Sequence, residues 1–281
     1  MPRSVMIEMN KISRFRRMKE SGQPIAVLTG YDAPTAKAEE ESGVDIILVG
    51  DSVGTNMLGY PSERDVTLAD MCHHVGAVRR GAPNTVIVAD LPFNSYETPQ
   101  VALQSSARLI GAGADIVKFE GARPAIVEIL RKNDIDVCCH LGLEPQHHDD
   151  KRVKGRKAAE AAELLRNAIA LDEAGMALLV LERVPEEVAD RVTKSVRAPT
   201  IGIGAGRKTD GQVLVITDVL GFTPINFQHN RRYQDIGRLM REAAKAYIHD
   251  VQSGNFPAPE NVVAMDKGEL AEFMADSKVK L

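Results

Sequence analysis

Eight short runs rich in Val and Ile recur at intervals too long for hairpins, and this recurrence restricts the fold more than any other feature. They are IAVLTG (25–30), DIILVG (45–50), TVIVAD (85–90), DIVKFE (115–120), DVCCH (136–140), ALLVLE (177–182), PTIGIG (199–204) and VLVITD (213–218). Apolar runs of this length, without polar alternation, suit strands buried on both faces of a parallel sheet. Most gaps between them read as helices. Residues 35–42 end at Gly43, 68–80 end at Gly81, and 98–112 open on a Thr-Pro pair and end near Gly113; Gly past a helix end and Pro just inside its start are the expected punctuation. Residues 157–175, 186–197 and 233–252 are also helix-like. A strand–helix alternation repeated about eight times is the pattern of a (β/α)8 barrel, with a doubly wound sheet as the alternative. The last two runs lie so close that any helix between them must be very short.

The length of 281 residues suits one such barrel, and a core of that size needs neither disulfide nor structural metal. We expect a single domain over 1–281, with a polar tail from about 255 that frays. The 35 basic and 39 acidic side chains leave a net charge of −4, aromatics are 4% and Trp is absent. A general nucleic-acid binder carries a basic excess and stacking aromatics, so that class is excluded. Cys72, Cys138 and Cys139 have no C-x-x-C spacing and read as reduced thiols of a cytoplasmic protein. The N-terminal segment has no apolar run of signal-peptide length, and no stretch reaches a membrane span of about 18 apolar residues.

Function is written at the ends of the runs. Asp51 and Ser52 follow DIILVG, Asp90 ends TVIVAD, Lys118 and Glu120 lie in DIVKFE, His140 closes DVCCH and Glu182 closes ALLVLE. In a parallel barrel all these ends meet at one mouth, where barrel enzymes carry their chemistry. Lys118 and Glu120 are two apart on a strand and point to the same side. Singly, each acid also reads as the N-cap of the next helix, Lys118 as half of a structural ion pair with Glu120 or a nearby Asp, and His140 as a core histidine. Jointly they point to hard-metal chemistry: Asp51, Asp90 and Glu120 offer carboxylate oxygens suited to Mg2+ or Mn2+. Such an ion would chelate a 2-oxo acid and stabilise its enolate, with Glu182 as general base. Zinc is disfavoured by the absence of arranged Cys and His ligands. GIGAG (202–206) with Asp210-Gly211 reads as a tight barrel turn, with an anion-binding turn as the alternative. His147-His148-Asp149-Asp150 reads as a solvated loop and 151–156 (KRVKGR) as solvent-facing charge, alternatively an attractor of an acidic substrate.

The strings LTGYDAPTAKAEEESGVDIILVGDSVG, VTLADM, HVGAVRRGAPNTVIVADLPFNSY, GADIVKFEG, HLGLEPQ, LLVLERVP and GIGAGRKTDGQVLVITDVLG resemble the ketopantoate hydroxymethyltransferase family, in its order from about 11 to 221. The resemblance implies a (β/α)8 barrel that transfers a one-carbon unit from 5,10-methylenetetrahydrofolate to 3-methyl-2-oxobutanoate. It implies Asp51 and Asp90 as Mg2+ ligands, with Glu120 reaching the ion through water. It implies Asp51, Ser52, Asp90 and Lys118 as holders of the oxo acid, His140 beside the substrate, and Glu182 as proton acceptor. It also implies a homo-oligomer, decameric in the family. Three segments depart from the family pattern: 60–67, 147–156 and 227–233. Loops of this kind overlie a barrel mouth and can act as lids, so a paralogue with another oxo acid or carbon donor is a further reading. A magnesium lyase of the isocitrate lyase and phosphoenolpyruvate mutase group is another, weakened because 147–156 contains no Cys. A non-catalytic scaffold or metabolite sensor is the last.

Overall fold

The apolar runs become strands because their inward residues fill the barrel and their outward residues meet helices. The computed structural model describes residues 12–148, 152–222 and 230–275. Its strands are β1 (Ile25–Thr29), β2 (Ile46–Val49), β3 (Val86–Asp90), β4 (Ile116–Glu120), β5 (Asp136–Gly142), β6 (Leu178–Glu182), β7 (Thr200–Ile203) and β8 (Gly211–Leu214). Each pairs in parallel with the next and β8 pairs back with β1, so the sheet is a closed barrel; the doubly wound alternative is excluded. The helices are α1 (Ser13–Ser21), α2 (Ala33–Glu41), α3 (Leu68–Gly81), α4 (Pro99–Ala112), α5 (Pro124–Lys132), α6 (Ala158–Glu173), α7 (Glu186–Ser195), α8 (Ile216–Leu220), α9 (Ile236–Ser253) and α10 (Lys267–Ala275). Side chains of Asp32, Thr67 and Thr98 accept from backbone N–H groups in the first turns of α2, α3 and α4, which satisfies donors a helix start leaves open.

Two apolar layers result. Val27, Ile46, Val88, Ile116, Leu178 and Val213 fill the barrel, whose lower end α1 plugs with Phe15 and Met18. Ile47, Ile87, Val117, Cys139 and Leu179 face outward into the helices.

The expected eighth strand is corrected. It spans 211–214 rather than 213–218, and Ile216–Leu220 is helical. A Cβ on Gly211 would stand 2.4 Å from the Ile25 carbonyl oxygen and 2.8 Å from Ile201 Cδ1, so a glycine is what admits the strand between β1 and β7. An apolar-run criterion passes over such a residue. No helix separates β7 from β8; seven residues, 204–210, connect them directly. Helices α1, α5 and α10 are additional to the sequence expectation, and α10 lies within the segment expected to fray.

Among the described residues the outer ring has a gap beside β1 and β8. Outward residues Ala26 and Gln212 are exposed, whereas those of β2 to β6 are buried. A groove of about 1330 Å3 runs there, bordered by Ala26, Leu28, Ala38, Glu39, Gln212 and Leu214. Glu39 is 4% exposed and neither carboxyl oxygen has a hydrogen-bond partner. Burial, reinforced by Asp32, pushes its pKa from 4.5 up to about 8. The folded chain therefore keeps a proton that the unfolded chain releases, and stability falls as pH rises from about 4.5 to about 8. Glu39→Gln is expected to stabilise the fold at pH 8 by on the order of 2 kcal/mol, after allowance for partial solvent screening, and by nothing at pH 4.5. Calorimetric Tm values across that range check this; an equal effect at both ends would contradict it.

Candidate active site

Strand register decides which side chains meet. Asp90 on β3 lies opposite Lys118 on β4, Glu120 opposite His140 on β5, and Gly142 opposite Glu182 on β6. These are carboxyl ends of strands, so all five charged groups reach one mouth, and Asp51 and Ser52 join them directly after β2. A Cβ on Gly142 would stand 2.2 Å from the Glu182 carbonyl oxygen; glycine there permits the close strand contact that places Glu182. Arg183, immediately after it, has a φ of 48°, a left-handed backbone that is costly for a non-glycine residue.

The floor of the mouth is an ion pair. Lys118 Nζ donates to Asp90 Oδ1 at 2.8 Å, and the Asp51 N–H donates to Asp90 Oδ2 at 3.2 Å. Lys118 is 5% exposed and Asp90 3%. Burial opposes the lysine charge, but Asp90, Asp51 and Glu120 outweigh it and hold the ammonium above its ordinary range. The structural reading of Lys118 thus holds in part, with Asp90 as the partner.

Asp51 is different. Burial first, then the neighbouring charge of Asp90, raises its carboxyl well above the usual range, with Lys118 working the other way. Crowded carboxylates in a dry pocket are the condition a divalent cation relieves. The donors available, Asp51, Asp90 and Glu120, are hard oxygens, and an ion such as Mg2+ needs only one or two carboxylates besides water and substrate. Among the described residues no group of three or more His, Cys, Asp or Glu side chains is already gathered around one point, so any ion here would take only one or two carboxylates directly.

His140 sits between two acids. Its Nδ1 is 3.4 Å from Glu120 Oε1 and its Nε2 is 3.3 Å from Glu182 Oε2. Neither contact has hydrogen-bond alignment, so the pairing is one of charge. Burial works against the imidazolium, but the two carboxylates outweigh it and lift the pKa to about 9. Burial likewise raises Glu120, yet His140 and Lys118 bring it below its ordinary value. Ser52 Oγ lies 2.9 Å from the Tyr31 hydroxyl, at the edge of this cluster.

The sequence expectation did not include Gln146, Tyr96 or Glu144. Gln146 lies in HLGLEPQ and Tyr96 in DLPFNSY; both strings carry the resemblance, but their chemistry is invisible until loops meet. Glu144 is raised by burial to about 7, with His140 opposing and Glu120 adding to the shift.

The described residues of the remaining motifs make contacts within the fold. The Arg207 N–H and guanidinium in the glycine turn are both occupied by Glu186, and Asp210 accepts from Thr200 and Lys19; the tight-turn reading holds. His147 contacts Tyr96 at 3.0 Å and His148 stands 3.9 Å from Glu144, while Asp149, Asp150 and Lys151 lie outside the described residues, as do 227–229 of the segment 227–233. Within 152–156, the Lys154 N–H donates to the Arg183 carbonyl at 2.9 Å and Arg152 stands 3.8 Å from Glu160.

A family model described as ketopantoate hydroxymethyltransferase matches residues 9–259. The chain is 46% identical over 244 residues to a 3-methyl-2-oxobutanoate hydroxymethyltransferase of Ignicoccus hospitalis, covering 85% of this chain and 93% of that protein. It is 44% identical over 258 residues to the protein of the same name from Yersinia pestis, covering 89% and 97%. Among solved structures, phosphonopyruvate hydrolase in complex with oxalate and Mg++ superposes with a TM-score of 0.59 at 13% identity, covering 96% of each chain; that likeness is one of fold.

Proposed function

The chain belongs to the ketopantoate hydroxymethyltransferase family, and from that premise we propose that it transfers a hydroxymethyl group from 5,10-methylenetetrahydrofolate to 3-methyl-2-oxobutanoate, giving 2-dehydropantoate. The observation that carries this reading is the convergence of Asp51, Asp90 and Glu120 at one barrel mouth, with Lys118 beneath them and the His140–Glu182 pair beside them. Asp51 and Asp90, with Glu120 through water, would hold Mg2+. When bound, the ion supplies Lewis-acid polarisation of the oxo acid's carbonyl. The fold neighbour solved with oxalate and Mg++ supports that choice.

The protein's own part is positioning and proton transfer. Lys118, held as an ammonium by Asp90, supplies positive charge for the oxo acid, and Asp51, Ser52 and Asp90 border the same space. Glu182 takes the C3 proton. His140, charged at neutral pH, faces one Glu182 oxygen and leaves the other to the substrate. The enolate carbon then bonds to the methylene carbon of the donor as one of its two C–N bonds breaks, and that nitrogen takes the proton Glu182 had accepted. Water adds its hydroxyl to the same carbon as the second C–N bond breaks, its other proton goes to the second nitrogen, and tetrahydrofolate leaves.

Proton NMR of 3-methyl-2-oxobutanoate in D2O with enzyme and Mg2+ tests the reading, with the folate donor added midway. The expected result is C3 exchange, then 2-dehydropantoate, with both lost on chelation of the metal. Exchange without product would transfer the reading to another carbon donor; no exchange would overturn the assigned oxo acid.

We further propose a cytoplasmic homo-oligomer. No described helix is long and apolar enough to cross a membrane, and Cys72, Cys138 and Cys139 are free thiols. Helix α9 buries only Gly237 while exposing Leu239, Met240, Tyr247, Ile248 and Val251. An apolar stripe of this size and an uncovered β1–β8 face are surfaces that self-association covers. Light scattering is expected to return a multiple of the 30.6 kDa chain mass; a monomer at micromolar concentration would contradict it.

A further inference from the structure

Gln146 is the one described residue that bonds both Asp51 and Glu120. It is 1% exposed, and every hydrogen-bonding group it has is engaged. Its backbone N–H donates to Glu120 Oε2 at 2.9 Å. Its side-chain Nε2 donates to Asp51 Oδ2 at 2.7 Å and to the Leu91 carbonyl at 3.1 Å, and its Oε1 accepts from the Tyr96 hydroxyl. Its carbonyl accepts from Arg64 Nε at 2.9 Å. Two acceptors at the nitrogen end and a hydroxyl at the oxygen end fix which way the amide points, because a flipped amide would set its oxygen against a carboxylate and a carbonyl.

Asp51 lies just past β2 and Glu120 ends β4, and the two strands are not neighbours in the barrel. Asp51 stands beyond the paired residues of β2, so strand register does not orient its carboxylate, and the Gln146 amide holds it. An amide has a second advantage over a lysine or arginine in that place. It orients a carboxylate without adding a positive charge that would repel an incoming cation. One oxygen of Asp51 is committed to the amide and the other remains free to bind.

We propose that Gln146 is a positioning residue that orients the Asp51 carboxylate toward a divalent cation, with Tyr96 locking the amide in the donating orientation. The proposal rests on the metal reading given above. Loss of the side chain removes the hold on Asp51 but not the backbone bond to Glu120, so the defect belongs to ion binding.

The test is Mn2+ binding to the purified, otherwise intact protein, followed by electron paramagnetic resonance and without substrate. Gln146→Met keeps the length and removes the donors. It is expected to weaken Mn2+ binding by about 10- to 100-fold, with Tyr96→Phe giving a smaller loss of the same kind. C3 exchange by Gln146→Met should recover as Mn2+ is raised, a rescue that a purely structural defect would not show. If the methionine variant does not fold, Gln146→Asn, whose shorter amide falls short of Asp51, gives the same comparison. A variant that binds Mn2+ as tightly as the parent overturns the role of Gln146 and leaves the metal reading standing. A parent that binds no Mn2+ overturns both.

Discussion

Glu182→Gln is expected to lower kcat by about 10²- to 10⁴-fold while the KM for the oxo acid changes little. The substitution is nearly isosteric, and the backbone that places Glu182 is held independently of its side chain: its carbonyl accepts from the Leu143 N–H at 2.8 Å, and the next N–H donates to Ile203. Geometry should survive, and what disappears is a carboxylate able to take a proton. An interaction lost only in the transition state lowers kcat and kcat/KM equally. The exchange rate at C3 in D2O should fall by the same factor as turnover, with or without the folate donor. Turnover within threefold of the parent would mean that the proton goes to another group.

Lys118→Met carries the largest expected effect on stability. It leaves Asp90 buried beside Asp51 with no cation within contact. Breaking one side of a buried pair typically costs about 3–5 kcal/mol, which in a domain of this size lowers Tm by about 10 °C. Activity should be lost as well, because the substrate loses its cationic neighbour. Two controls separate the causes. Added Mn2+ should raise the Tm of Lys118→Met more than that of the parent, since the ion replaces part of the missing charge. Lys118→Met combined with Asp90→Leu should regain much of the stability and none of the activity. A single variant as stable as the parent would show that the pair is solvated in solution.

Both predictions start from residues legible in the sequence, and the reason is geometric. A residue at the carboxyl end of a buried strand in a parallel barrel has little choice of direction. Two-residue periodicity sets the face, and closure sets the mouth. Asp90, Lys118, Glu120, His140 and Glu182 follow that rule, Asp51 enters just past the end of β2, and the structure brings the six together. Their individual roles remain the proposal argued above. Pairing was less legible: the sequence left Glu120 or a nearby Asp as the Lys118 partner, and it took the register to make it Asp90.

Sequence alone determined the alternation of apolar runs and helices, hence the barrel, and the set of charged groups at its mouth, because both are periodic properties of a local chain. Tertiary structure decided the rest. It set the start of β8 at Gly211, where the neighbouring strands leave no room for a Cβ; it left the β1–β8 face without a helix, where an unpaired Glu39 lies; and it built the Gln146–Tyr96 bridge between Asp51 and Glu120. Each of these depends on segments far apart in the chain coming within a few ångströms, and no local pattern encodes such a distance.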